Sequence, residues 1–467
     1  MNAVLKYAML ASVIAAGLAS WAQDAKRPEV AAIRFPDNSI VIDGRDNDWL
    51  RAGDALARCK AVSNDKGLWG APNTQRGEWT GPDDLSMTVW LATDSQNFYV
   101  LGDVRDQFLT NTSSVAMPFF GDDFEIFIDA NPADARFAQA KNENVRQLIF
   151  VPSYLNPEWP KVLIWEEATN PGVTAASRLR PWGYTIELKV PKALFPNWKA
   201  HPDMDSIGFD VMLNEADAPG VDCVHPAIKG AFYLLEVAPH FMSPAKLGLA
   251  RLETQPTALA PAQPPAPPTP PDQLIEAMKA ASQPKDAYAV AQHLLDYLPT
   301  DQAGKVAEAA MPSDKLPIRK AGLFILAQRP QFPAPIPALE AMVNPTDSAY
   351  GTFPNHDLCQ YAMVALTRRG KLPAEKVFGF YTRSNDPQVR LTFVWALGVN
   401  GDRKIVPQLI KLLYDGNLRV RMMAAMSLGA LGDPAAVAPL QEMAASDPHN
   451  YGKSQANLAL KQLQSKQ

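Results

Sequence analysis

The residues best equipped for chemistry are carboxylates gathered at the ends of strand-like runs. G-D-D-F-E-I-F-I-D (Gly121–Asp129) carries Asp122, Asp123, Glu125 and Asp129. V-I-D-G-R-D-N-D-W (Val41–Trp49) and I-G-F-D-V-M-L-N-E-A-D (Ile207–Asp217) repeat the theme of an apolar run edged by acids and amides. Paired carboxylates can hydrolyse glycosides, but Asp123 and Glu125 lie two apart on one strand face, whereas hydrolysis needs acids that flank a bond across a cleft. The other chemistry is binding. One face of each strand feeds a core, and the other presents acceptors to the hydroxyls of a polar ligand. Binding without catalysis is the expectation, and no catalytic residue is assigned. No G-x-S-x-G, H-E-x-x-H, Walker or Rossmann pattern occurs, and the 6 histidines lack metal-ligand spacing.

Aromatic residues supply the second half of such a site. Trp69 and Trp79 sit in the long loop Ser63–Asp84 among Gly, Asn, Thr and Pro, where they form either a ligand platform or a folded-back lid. Carboxylate pairs at Asp103/Asp106, Asp122/Asp123 and Asp203/Asp205 leave calcium open, with no residue assigned to it. No other cofactor is expected. Cys59, Cys223 and Cys359 are an odd set; isolated buried thiols are expected, with a Cys59–Cys223 bridge as the alternative.

These groups are positioned by strands. Runs at Ser39–Asp43, Ala57–Val62, Leu85–Thr93, Phe98–Val104, Phe124–Asp129, Arg146–Val151, Val162–Glu166, Tyr184–Val190, Ile207–Leu213 and Ala231–Val237 are separated by Asx, Gly and Pro turns. That spacing predicts an antiparallel β-sandwich of jelly-roll type over residues 30–253. Residues 254–272 hold P-A-Q-P-P-A-P-P-T-P-P (Pro261–Pro271), which should form a stiff polyproline spacer. Beyond it, residues 273–467 turn helical and repeat. Asp386–Arg390, Trp395–Gly398, Gly401-Asp402, Val406 and Leu409 recur 31 residues later as Val420-Arg421, Ser427–Gly429, Gly432-Asp433, Val437 and Leu440. Self-similarity at this period predicts an α-solenoid resembling short HEAT-like repeats, with a concave face for a protein partner. Arg390 and Arg421, with Asp402 and Asp433, are expected to form a ladder that stabilises the stack.

The N-terminus suggests export. Lys6, the apolar run Ala8–Leu18 and Ser20-Trp21-Ala22 read as a signal peptide over residues 1–22, cleaved before Gln23. No later run approaches about 18 uninterrupted apolar residues, so a mature chain without a transmembrane segment, periplasmic or extracellular, is expected. A net charge of −5, from 44 basic and 49 acidic residues, offers no footprint for nucleic acid.

The sandwich segment resembles a family 9 carbohydrate-binding module. The match rests on V-I-D-G with D-W, F-Y-V-L-G-D-V-R-D (Phe98–Asp106), D-x-x-E-I-F-I-D (Asp122–Asp129), G-Y-T-I-E-L-K-V-P (Gly183–Pro191), the Ile207–Asp217 run and P-x-K-x-G-x-x-x-L (Pro244–Leu252). The resemblance implies a carbohydrate or polyol ligand and a role in polysaccharide metabolism. It places sugar-stacking aromatics at Phe119 or Phe120 and at Phe241, where the family uses tryptophan. The hydroxyl-accepting strand glutamate falls on Glu125, and an adjacent-strand contact on Arg146 or Gln147. An asparagine donor of the family is replaced by Ala238. Three alternatives stand beside this reading: a haem-binding sandwich using Met117, His225, His240 or Met242, a glycoside-processing enzyme, and a scaffold without sugar binding.

Overall fold

The computed structural model describes residues 28–62, 85–106, 123–131, 142–152, 161–164, 172–180, 183–215, 230–233, 247–262, 269–282, 286–287, 289–291, 300–343, 356–372, 375, 378–379 and 387–465. Residues 29–256 form a curled, sandwich-like mixed sheet, and the rest of the described chain is helical. The strands are β1 (Glu29–Arg34), β2 (Lys60–Val62), β3 (Leu85–Thr93), β4 (Asn97–Asp106), β5 (Asp123–Asp129) and β6 (Val145–Val151). They continue with β7 (Lys161–Ile164), β8 (Thr174–Arg180), β9 (Gly183–Pro191), β10 (Ser206–Glu215), β11 (Gly230–Tyr233) and β12 (Gly248–Pro256).

Across the sheet the order is β7-β6-β5-β10-β12-β1-β3-β4-β9-β8, with β11 on β10 and β2 on β3. The sheet is not wholly antiparallel. β1 lies parallel to both β12 and β3 and joins the two halves, while the other described pairs run antiparallel. An antiparallel expectation follows from consecutive hairpins, but β1 pairs with strands distant in sequence, which turn chemistry does not report. Its sequence E-V-A-A-I-R also lacks the β-branched density of an obvious strand. The halves fold face to face: Phe98 of β4 meets Phe209 of β10 edge-on at 5.6 Å. Ile126, Phe150, Val89, Val100, Ile186 and Val211 fill the same core, each fully buried.

Ser39–Asp43 is not a strand, and only Lys60–Val62 of the expected Ala57–Val62 run pairs. At the other end, the boundary at residue 253 falls inside β12. Beyond Pro256, Thr257 N–H donates to Arg34 O at 2.6 Å, and Ala260 exchanges hydrogen bonds with Arg51 through its N–H (2.8 Å) and its carbonyl (2.9 Å). Leu259 packs against the cluster of Ile33, Phe35 and Trp49. The segment expected to act as free spacer from 254 is therefore held to the sandwich through Ala260.

The helical region comprises α1 (Pro271–Ala280), α2 (Thr300–Ala310), α3 (Leu316–Gln328), α4 (Ile336–Met342), α5 (His356–Thr367) and α6 (Pro387–Asn400), then α7 (Val406–Leu412), α8 (Leu418–Leu431), α9 (Val437–Ser446) and α10 (Asn450–Ser465). Residues 344–355 lie outside the described residues. The 31-residue period has a backbone cause. Gly370, Gly401 and Gly432 each adopt a left-handed φ, +62°, +74° and +69°, which a side chain would strain. Asp402 and Asp433, one residue later, cap short 3₁₀ turns by accepting from the N–H of Lys404 (3.0 Å) and Ala435 (2.9 Å).

The arginine ladder exists, with different acidic partners. Arg421 binds Asp447 at 2.8 Å and 3.2 Å, and Arg390 lies 3.6 Å from Asp415. Each aspartate also closes the turn before the helix that follows it, accepting from Asn417 N–H and His449 N–H respectively, while Asn417 itself caps α8. Arg421 donates to Asp415 O, and Arg319 to Ser313 O, both six residues back. The arginine thus seals the loop before its own helix and, at Arg390 and Arg421, reaches the aspartate of the loop that follows the next helix.

Two variants test this packing. A Cβ on Gly429 would lie 3.0 Å from Ala459 Cα in the neighbouring helix. Helix propensity alone favours Gly429→Ala by about 1 kcal/mol, so a net loss of about 1–3 kcal/mol in urea denaturation identifies the close helix contact. Asp447→Ala strands a guanidinium whose side chain is 7% exposed, and should cost about 3–5 kcal/mol in the same assay.

Candidate functional site

Period-2 alternation divides β5 between two jobs. Phe124, Ile126 and Ile128 enter the main core, while Asp123, Glu125, Phe127 and Asp129 share the opposite face. On that face Glu125 stands opposite Ile149 of β6 and Met212 of β10, and Phe127 stands opposite Gln147 and Asp210. Gln147 Nε2 donates to Glu125 Oε2 at 2.5 Å across the diagonal. Glu125 is 2% exposed and Gln147 7%, so the pair sits in low-dielectric surroundings where hydrogen bonds to a carboxylate are strong. Phe127, Met212 and Leu247 form a small apolar cluster on the same side. A carboxylate acceptor, an amide and an apolar platform are the mixture that a sugar's hydroxyl edge and C–H face call for.

Of the residues expected at the site, Glu125 and Gln147 are brought together. Arg146 is not: it lies opposite Ile128, with the parity of the core residues Leu148 and Phe150, and Nη1 turns back to Val145 O at 3.2 Å. Phe119, Phe120, Phe241, Trp69 and Trp79 lie outside the described residues, as do Met117, His225, His240 and Met242. Phe127, Met212, Leu247 and Asp210 were not singled out from sequence. The parity that turns Glu125 away from the core does the same for Phe127, so that signal was present.

Asp129 serves structure. Asp129 Oδ1 accepts from Asn131 N–H (2.9 Å) and Nδ2 (2.7 Å), while Asn131 and Asn142 exchange amide hydrogen bonds at 3.2 Å. Asn144 Oδ1 takes Asn197 N–H at 2.8 Å, tying this corner to the turn after β9. The Val41–Trp49 motif is no ligand edge either. Its Asp48 accepts from Val41 N–H (2.9 Å) and its Asp43 from Arg45 N–H (2.9 Å).

The motif as a whole is gripped by Glu187 of β9. Oε2 accepts from the N–H groups of Asp43 (2.9 Å) and Gly44 (3.0 Å), and Oε1 from Trp49 Nε1 (2.9 Å). Thr185 Oγ1 completes the clasp by donating to Gly44 O at 2.7 Å. Glu187 is completely buried, and burial pushes its carboxyl up to about 7 against the pull of its three donors.

Lys192 could be a nucleophile on chemical grounds, since burial lowers its ammonium to about 8. Its Nζ donates to Asp94 O at 2.6 Å and lies 5.5 Å from the Trp198 ring centre, which makes it a pin for the β9 corner. Cys59 is a free, buried thiol pushed up to about 12 by desolvation, and Cys359 is likewise free and buried. Among the described residues, no group of three His, Cys, Asp or Glu side chains is placed to hold a metal ion, and no helix is long and apolar enough to cross a membrane.

Residues 63–227 match the family model described as carbohydrate family 9 binding domain-like, and residues 376–461 match the model for HEAT repeats. This chain carries a family-9-like domain followed by HEAT repeats. The solved structure of a family 9 carbohydrate binding module from Caldicellulosiruptor kristjanssonii in complex with cellotriose is similar at 18% identity, over 50% of this chain and 100% of that one, with a TM-score of 0.34. A second, in complex with glucose, gives 20% identity over the same shares and a TM-score of 0.33. Human deoxyhypusine hydroxylase in complex with glycerol is similar at 16% identity over 42% of this chain and 96% of that one, with a TM-score of 0.17. No curated protein matches the chain.

Glu187 gives the family-9-like domain a pH signature. Its folded value lies above its ordinary 4.5, so the native state holds the proton more tightly. Its contribution to stability is full below about pH 4.5 and is lost as pH rises through about 7. Glu187→Gln should flatten that slope in pH-dependent urea melts. It should also lower stability overall, because an amide nitrogen would face N–H donors.

Proposed function

We propose that this chain is an exported, non-catalytic carbohydrate-binding protein whose HEAT repeats bind a protein partner. The observation that carries the reading is the hydrogen-bonded Glu125–Gln147 pair on one sheet face, inside a domain that matches the family 9 model. In this reading Glu125 accepts from sugar hydroxyls while Gln147 fixes its orientation. Phe119 or Phe120 and Phe241 stack on the ring's C–H faces, with Trp69 and Trp79 as a second platform. Binding without hydrolysis is supported by the placement of Asp123 and Glu125 on one face of one strand, since a glycosidase needs its two carboxyls on opposite sides of the bond. The signal-peptide pattern before Gln23 supports a periplasmic or extracellular setting, where polysaccharide is found.

A glycan array probed with the mature chain, with cello-oligosaccharides among its members, tests this. Phe119→Ala combined with Phe241→Ala should abolish retention. Glu125→Gln exchanges a charged acceptor for a neutral one of the same shape and should weaken binding by about tenfold, equivalent to about 1.4 kcal/mol. Undiminished retention by variants with an intact near-ultraviolet spectrum would reject the site.

A further inference from the structure

The first residues of the spacer lie back against the sandwich instead of leaving it. β12 ends at Pro256, opposite Arg34 of β1. Thr257 N–H then donates to Arg34 O (2.6 Å), and Ala260 makes a double contact with Arg51, giving its N–H to Arg51 O (2.8 Å) and taking Arg51 Nε on its carbonyl (2.9 Å). Between them Leu259 packs on the cluster that holds Ile33, Phe35 and Trp49. Pro261 follows and has no N–H, so the donor pattern stops there.

The dock is firm. Arg51 ends the short helix Asn47–Leu50, and Ala260 N–H satisfies a carbonyl that a helix end leaves open. The helix is anchored from beneath by Trp49, fully buried, whose indole donates to Glu187. The docked segment is weakly held by comparison. Thr257 and Leu259 are half-buried, and Ala258 and Ala260 are exposed. Three hydrogen bonds and one leucine hold these four residues, whereas Leu249–Arg251 of β12 pair with β1 on one side and β10 on the other. Gains of that size are of the same order as the entropy lost in ordering four residues, so attachment and release are closely balanced.

We propose that Thr257–Ala260 is a releasable strap that gives the spacer two lengths. Docked, the free spacer begins at Pro261. Released, it begins at Thr257 and gains about 12 Å, at about 3.1 Å per residue. The sandwich keeps its fold in both states, because β12 stops at Pro256 and the Arg58–Glu253 fork (3.0 Å and 3.0 Å) clamps the strand before the strap begins. The strap therefore sets how far the repeats stand from the sandwich.

Amide hydrogen exchange of the mature chain at single-residue resolution tests the proposal. Thr257 and Ala260 should exchange about 3- to 100-fold more slowly than in a free peptide, and Leu249–Arg251 at least about a hundredfold more slowly again. Arg51→Ala removes one bond and should speed Ala260 by about threefold. Leu259→Asp puts a charge against the apolar dock. It should return Ala260 to the free-peptide rate, leave Leu249–Arg251 protected, and raise the radius of gyration in small-angle X-ray scattering. Where that variant unfolds the sandwich, Ala260→Pro takes its place: it deletes the donated N–H at an exposed position and should speed Thr257. Ala260 exchanging at the free rate in the wild-type chain means that no strap docks. Exchange as slow as that of Leu249–Arg251 means that it never lets go. Either result overturns the proposal, as does a released variant whose protection or radius matches the wild type.

Discussion

A carboxylate taken out of water must be met by donors, because an unpaired charge in a protein interior costs several kcal/mol. The sandwich obeys this constraint at two glutamates and puts them to different uses. Glu187 is saturated by the backbone of Asp43 and Gly44 and by the indole of Trp49, and so closes the first loop of the domain onto β9. Glu125 is held by Gln147 on the face turned away from the main core, beside Phe127 and Met212. One carboxylate builds the frame, and the other has the setting of a recognition group.

The same constraint organises the repeats. Arg421, with its side chain 7% exposed, survives burial because Asp447 and the carbonyls of Asp415 and Gly416 take its N–H groups. These contacts link the loop before a helix to the loop after the next one, so each unit is fastened to its neighbour by charge as well as by apolar packing. Left-handed glycines set the turn, the aspartate after the glycine caps it, and the arginine reads a different aspartate.

Much of this was legible in the sequence, and the failures have physical causes. β3 spans the run read from alternation, and β5, β6 and β9 agree within a residue at each end, because buried strands rich in Val, Ile, Leu and Phe carry a strong period of two. β1 and β8 escaped notice because Ala, Ser and Arg dilute that pattern. Ser39–Asp43 looked like a strand, yet its N–H groups go to local acceptors and to Glu187 rather than to a neighbouring strand: Ser39 to Pro36 O, Val41 to Asp48 and Asp43 to Glu187. A period locates Arg390 and Arg421 but cannot say which aspartate each will meet, so Asp402 and Asp433 were natural choices and the wrong ones. At the site, the glutamate was readable from its motif. Whether Arg146 or Gln147 joined it depended on a one-residue register that only strand pairing decides.

Under the proposed function, the Glu125–Gln147 pair contacts sugar. The most direct measurement is a crystal structure of the mature chain soaked with the glycan it retains most strongly. The expected result is a ring hydroxyl within hydrogen-bond reach, about 3 Å, of the Glu125 carboxylate, with a phenyl ring against the sugar's C–H face. A sugar bound elsewhere, with Glu125 and Gln147 still paired only to protein, would contradict it.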